Sequence, residues 1–186
     1  MKYGKYLDRL PSLKGKNIIV TGANSGLGFQ TSAALCYKGA HLIMACRNQK
    51  KGEKAKKELL DRFPSAEIDL IPYDQSRMES ILSFADAIER NYDRIDGIVF
   101  NAGIYFPKSH SRTEDGFELT FGTNYLGTYR LWKRLNPLLD KCRARVVVVS
   151  SLTAFFSRRN LKMENVDRMR RNKLYGYSTV SYTHLR

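Results

Sequence analysis

A chain of 186 residues that carries 32 Lys+Arg against 18 Asp+Glu has a formal net charge of +14. The length suits one domain with a core of its own, and 42% hydrophobic residues with only 5 prolines exclude disorder despite the charge. No apolar run reaches the roughly 18 residues of a membrane span, and residues 1–16 lack the apolar stretch of a signal peptide. Cys36, Cys46 and Cys142 are scattered and odd in number. They fit neither a disulfide framework nor a zinc site and predict a reducing, cytoplasmic setting. His41, His110 and His184 have no metal-ligand spacing, so no metal is expected.

Hydrophobic periodicity changes repeatedly along the chain. Asn17–Val20 is a short β-branched run that predicts a buried strand. Gly26 to about Lys38 predicts a helix, with Gly39 as its stop. His41–Cys46 predicts a second strand and Gln49–Arg62 a charged amphipathic helix, with Pro64 just beyond it. The pattern repeats: strand Glu67–Tyr73, helix Arg77–Asn91, strand Ile98–Phe100, then a largely helical stretch from Glu114 to about Leu139. Val146–Val149 is a fifth strand, and its unbroken apolar character predicts cover on both faces. Strands alternating with helices imply βαβ units, right-handed crossovers and a parallel sheet. No repeat or linker interrupts the chain, so one domain over residues 1–186 is expected.

Between the first strand and the first helix stands Thr21-Gly22-Ala23-Asn24-Ser25-Gly26-Leu27-Gly28. Glycine admits positive φ and close backbone approach. The following helix N-terminus offers free N–H groups and the positive end of a dipole, which together suit a pyrophosphate. A glycine-rich turn can also be merely a turn, but the strand–turn–helix context is what dinucleotide binding requires. Gly22, Asn24, Ser25, Gly26, Leu27 and Gly28 are therefore candidate cofactor-binding residues. The second strand ends at Arg47, about 20 residues past Gly28, where an acid would accept from the ribose 2′-hydroxyl of NAD. Arginine instead suits a 2′-phosphate through bidentate charge-assisted bonds. No acid stands at Cys46, Arg47 or Asn48, so NADP(H) is favoured, with NAD admissible. Asp74, closing the third strand, could accept from the adenine amino group or cap the next helix.

These residues resemble the short-chain dehydrogenase/reductase family over about Lys14 to Ser178. The family's TGxxxGxG loop matches Thr21–Gly28, its NAG motif Asn101-Ala102-Gly103, its helix asparagine Asn124, and its double serine Ser150-Ser151. The Ala45–Asn48 segment and the basic helix after it resemble the retinol-dehydrogenase-like, NADP-preferring branch. The resemblance implies an α/β fold, a Rossmann-type doubly wound parallel sheet with helices on both faces, here without its C-terminal strands. It also implies reversible hydride transfer between NADP(H) and an alcohol or carbonyl substrate of small size. Carried over, Ser151 hydrogen-bonds the substrate oxygen, Tyr175 is the general acid/base and Asn124 supports a water relay. Asn101, Ala102 and Gly103 line the cofactor side of the sheet. Family members usually form homo-oligomers, which is the expectation for the full-length protein.

One position departs from the family pattern. The lysine that lowers the tyrosine pKa falls at residue 179, which is Thr179. Unperturbed tyrosine titrates near pH 10 and is a poor base at neutral pH without a nearby cation. Residues 179–186 are polar and β-prone, and the sequence reads as a truncated copy whose last eight or so residues are foreign to it. Thr179 equally supports an alternative: a non-catalytic dinucleotide-binding sensor or interaction protein. Lys141–Lys173 holds 10 Lys+Arg against 2 Asp+Glu. That stretch is read as a solvated surface rather than a specific nucleic-acid site.

Overall fold

In the computed structural model, which describes residues 5–105 and 111–151, five parallel strands form one sheet in the order β3-β2-β1-β4-β5. The strands are β1 (Asn17–Thr21), β2 (His41–Cys46), β3 (Ile68–Pro72), β4 (Gly97–Phe100) and β5 (Arg145–Val148). After the short α1 (Lys5–Asp8), the connecting helices are α2 (Gly26–Tyr37), α3 (Gln49–Arg62), α4 (Met78–Asn91) and α5 (Thr128–Lys141), the last preceded by a π-helical turn, Phe121–Gly127.

The doubly wound architecture appears as two apolar clusters, one on each side of the sheet. On one side, Phe29, Ala33 and Cys36 of α2 and Ala55 and Leu59 of α3 pack on Val20, Leu42, Met44 and Ile68. On the other, Ile81, Phe84 and Ile88 of α4 and Leu131, Leu135 and Leu139 of α5 pack on Ile19, Ile43 and Ile98. The alternation of neighbouring strand residues between clusters (Ile19 against Val20, Ile43 against Met44) is the period of two that a strand covered on both faces displays.

Helix ends follow local chemistry. The α2 helix closes with Gly39 N–H donating to Cys36 O (3.0 Å) and Ala40 N–H to Leu35 O (3.1 Å), a Schellman motif. Asn48 caps α3 by accepting from Lys51 N–H at 2.9 Å. Asp74 does not cap α4: its Oδ1 accepts from the Ser76 N–H and hydroxyl. The α4 terminus is served instead by Asp115, 37 residues on, which accepts from Met78 N–H at 2.9 Å.

Two segments depart from the sequence expectation. Residues 114–118 do not continue the helix, because Gly116 turns the chain at φ +85° and Thr113 N–H bonds back to Phe117 O. The helical run starts where Glu118 accepts from Thr120 N–H and Phe121 N–H at 3.0 and 2.7 Å. The valines of β5 are not covered on both faces: Val146–Val149 are 39–42% exposed. Among the described residues β5 pairs only with β4 and so stands at the sheet edge.

At the amino ends of the strands Asp96 is held by Lys16 Nζ (3.0 Å), Asn17 N–H (3.1 Å) and Arg94 Nε (2.7 Å). Burial acts to raise its carboxyl pKa, but the bonds from Arg94, Lys16 and Asn17 outweigh this and hold it below the usual carboxylate range. Such a carboxylate stabilises the fold above its unfolded-state pKa, near 3.9, and loses that contribution as pH falls through its lower native value. Asp96→Asn is expected to lower the melting temperature at pH 7 by about 5 °C. The gap to wild type should narrow below about pH 4, as followed by circular dichroism melts across pH.

Candidate functional site

The carboxyl ends of β1, β2, β3, β4 and β5 open into one cleft of about 620 Å³. That volume falls within the range of small-molecule and cofactor sites, and this edge of an open α/β sheet is where such folds bind ligands. Because strands lie about 4.8 Å apart, the row of strand ends offers separate stations along an elongated ligand.

The central station is the turn after β1. Gly22 adopts φ +67° and Gly26 φ +54°. At Gly28 a Cβ would lie 2.3 Å from Gly22 O and 2.5 Å from Asn101 Nδ2, so only glycine lets helix α2 start this close to the strand. Thr21, fully buried, ties this turn to the next strand: its hydroxyl accepts from Asn101 N–H (3.0 Å) and Ala102 N–H (2.9 Å). Asn101 Nδ2 returns a bond to Thr21 O at 2.9 Å. The Asn101-Ala102-Gly103 segment and the glycine turn are thereby one hydrogen-bonded unit, with Gly22, Asn24, Ser25, Leu27 and Asn101–Gly103 on the cleft wall. Gly26 lies in the turn with open space at its Cβ position, and Gly28 sits behind the wall.

On the β2 side Arg47, Asn48 and Lys51 line the cleft, with Asp74 beyond them. Lys51 was not singled out by the sequence pattern. It stands one turn into α3, beside Arg47 at the cleft wall, so two cations face the same end of the site. The periodicity of the basic helix alone does not separate Lys51 from its solvated neighbours. Cys46, buried in the apolar cluster beneath α2 and α3, has its thiol pKa pushed up to about 11 by burial, which leaves it neutral.

On the β4–β5 side stand Asn124, Ser150 and Ser151. Asn124 lies in the π-helical turn and reads Ile104 as a strand would. Its Oδ1 accepts from Ile104 N–H and its Nδ2 donates to Ile104 O, both at 2.8 Å. The widened turn frees backbone, and Thr128 Oγ1 donates to Asn124 O at 2.9 Å. Next to it, the Thr123 hydroxyl is buried and, among the described residues, has no hydrogen-bond partner. A buried hydroxyl left unpaired carries a desolvation cost. Tyr175, Thr179 and the 179–186 tail lie outside the described residues, as does the basic stretch from residue 152 onward.

Sheet order, glycine turn and cleft together define a dinucleotide-binding fold of the doubly wound class. Residues 16–163 match the short chain dehydrogenase family, and the chain belongs to it. It is 41% identical over 140 residues to the WW domain-containing oxidoreductase of Gallus gallus, covering 75% of this chain and 34% of that protein. It is 39% identical over 145 residues to the human retinol dehydrogenase 13, covering 76% of this chain and 43% of that protein. The chain thus spans less than half the length of either relative. A solved structure of a Mycobacterium paratuberculosis protein superposes with a TM-score of 0.80 at 32% identity, covering 96% of this chain and 62% of that one.

Proposed function

We propose that this chain is the cofactor-holding part of an NADP(H)-dependent oxidoreductase acting on an alcohol or carbonyl substrate. The observation that carries the reading is the cradle at Gly22–Gly28. A Cβ on Gly28 would close it, and Asn101 pins it from the neighbouring strand. The donor set fits the group: helix N–H groups for the pyrophosphate, and Arg47 with Lys51 for a 2′-phosphate. Asp74 stands ready to accept from the adenine amino group, its second carboxylate oxygen not engaged by Ser76.

NADPH, when bound, supplies the hydride. Ser151, at the end of β5, is the residue we assign to hydrogen-bond the substrate oxygen. Asn124, fixed through Ile104, is assigned to the proton relay, and Tyr175 to proton transfer at the substrate oxygen. Calorimetric titration with NADPH tests the reading: saturable binding at one site per chain is expected, and no heat at a hundredfold molar excess would contradict it.

Thr179 favours a second reading, dinucleotide binding without turnover, because no lysine stands four residues after Tyr175 to favour the phenolate. Carbonyl-dependent NADPH oxidation by wild type and Thr179→Lys separates the two. Activity in the lysine variant alone identifies a disabled oxidoreductase, and cofactor binding without turnover in either form of the full-length protein identifies a binding protein.

A further inference from the structure

We infer that Gln75 is a positioning residue, whose side-chain amide braces the Ala102 loop against the π-helical turn that carries Asn124. Gln75 is 5% exposed, and both polar atoms of its side chain are engaged. Its Nε2 donates to Ala102 O at 2.9 Å and to Thr123 O at 2.8 Å. Its Oε1 accepts from the Tyr73 hydroxyl at 3.2 Å. The amide orientation is fixed by chemistry, since both groups facing the nitrogen are carbonyls, which only accept. Backbone contact reinforces the junction: a Cβ at Gly127 would lie 2.1 Å from Gln75 O.

The two Gln75 bonds end on the residues that flank the Asn124–Ile104 pairing, Ala102 on one side and Thr123 on the other. Four hydrogen bonds therefore set the separation between the post-β4 loop and the turn, and Gln75 supplies two of them. None of its bonds reaches the glycine turn, Arg47 or Lys51. Asp74 is held separately, by Ser76 and Ser80. A change at Gln75 should therefore bear directly on the Asn124 end of the cleft and reach the glycine turn only through the Ala102 N–H bond to Thr21, leaving the Arg47 end least affected. This inference rests on the dinucleotide reading, and its consequence is a split between ligands that occupy the whole cleft and ligands that occupy the Arg47 end.

The test compares NADP⁺ with 2′,5′-ADP on wild type and Gln75→Met, which keeps the length of the side chain and removes both donors. The expected result is a dissociation constant for NADP⁺ about tenfold higher, with 2′,5′-ADP within about twofold of wild type. A merely structural role would weaken both ligands in parallel. Tyr73→Phe removes the hydroxyl that holds Oε1 while its ring stays packed 4.9 Å from Phe84. It should show the same split at smaller amplitude, about threefold, and decides the matter if Gln75→Met does not fold. Parallel loss, no loss, or loss confined to 2′,5′-ADP overturns the brace while leaving the dinucleotide reading intact. A wild type that binds neither ligand overturns both.

Discussion

Gly28→Ala is expected to reduce NADPH affinity by at least about 100-fold. The added Cβ would sit 2.3 Å from Gly22 O and 2.5 Å from Asn101 Nδ2. Neither neighbour can yield cheaply, because Gly22 O is backbone and Asn101 Nδ2 is bonded to Thr21 O. The turn must move as a unit, carrying away the N–H groups proposed for the pyrophosphate, at a cost of about 1–3 kcal/mol in stability. Gly26→Ala is the informative control. Its Cβ meets nothing within 4 Å, but its φ of +54° strains an L residue. It should lose about 1–2 kcal/mol of stability and far less affinity. Calorimetric titration and thermal melts on the two variants check the contrast.

Arg47→Asp is expected to invert cofactor preference: about 100-fold weaker NADPH and several-fold tighter NADH. A charge-assisted bond to a phosphate contributes about 1.5–3 kcal/mol, and the new carboxylate adds repulsion toward the 2′-phosphate while accepting from a 2′-hydroxyl. Lys51 shares the load as a point charge, so Lys51→Ala should weaken NADPH by about fivefold and leave NADH unchanged. Both cations are solvent-exposed, so the NADPH preference should shrink as salt rises. Parallel titrations with the two cofactors at low and high salt measure this. Equal loss of NADPH and NADH in Arg47→Asp would contradict a 2′-phosphate role.

How legible the fold was depended on how local each determinant is. His41–Cys46 and Gln49–Arg62 have the expected boundaries, because an unbroken apolar run and a strongly amphipathic run are each bounded by local signals, Asn48 as the cap among them. Asp74 was ambiguous between a cap and a ligand-facing acid. A contact with the remote Asp115 removes the capping role, and no local pattern announces that. The helix expected from Glu114 begins late because a hydrogen-bonded turn over Thr113–Phe117 competes for the same backbone groups.

Within the cleft, the glycine turn and the Asn101-Ala102-Gly103 segment were legible because backbone geometry restricts the residues they admit. Lys51 was not, since one lysine among many on a basic helix carries no periodic mark. Gln75 was hidden for a related reason. Its partners are the carbonyls of Ala102 and Thr123, and backbone carbonyls leave no trace in a sequence. The valines of β5 read as a doubly covered strand, yet cover comes from neighbours, and among the described residues β4 is the strand beside it.

The most direct test of the dinucleotide cleft is amide chemical-shift mapping of the ¹⁵N-labelled chain titrated with NADPH. The largest shifts are expected at Gly22–Gly28, Arg47–Lys51 and Asn101–Ile104, with Asp96 and the amino ends of the strands unmoved. Saturable shifts centred elsewhere, or none at millimolar NADPH, would contradict it.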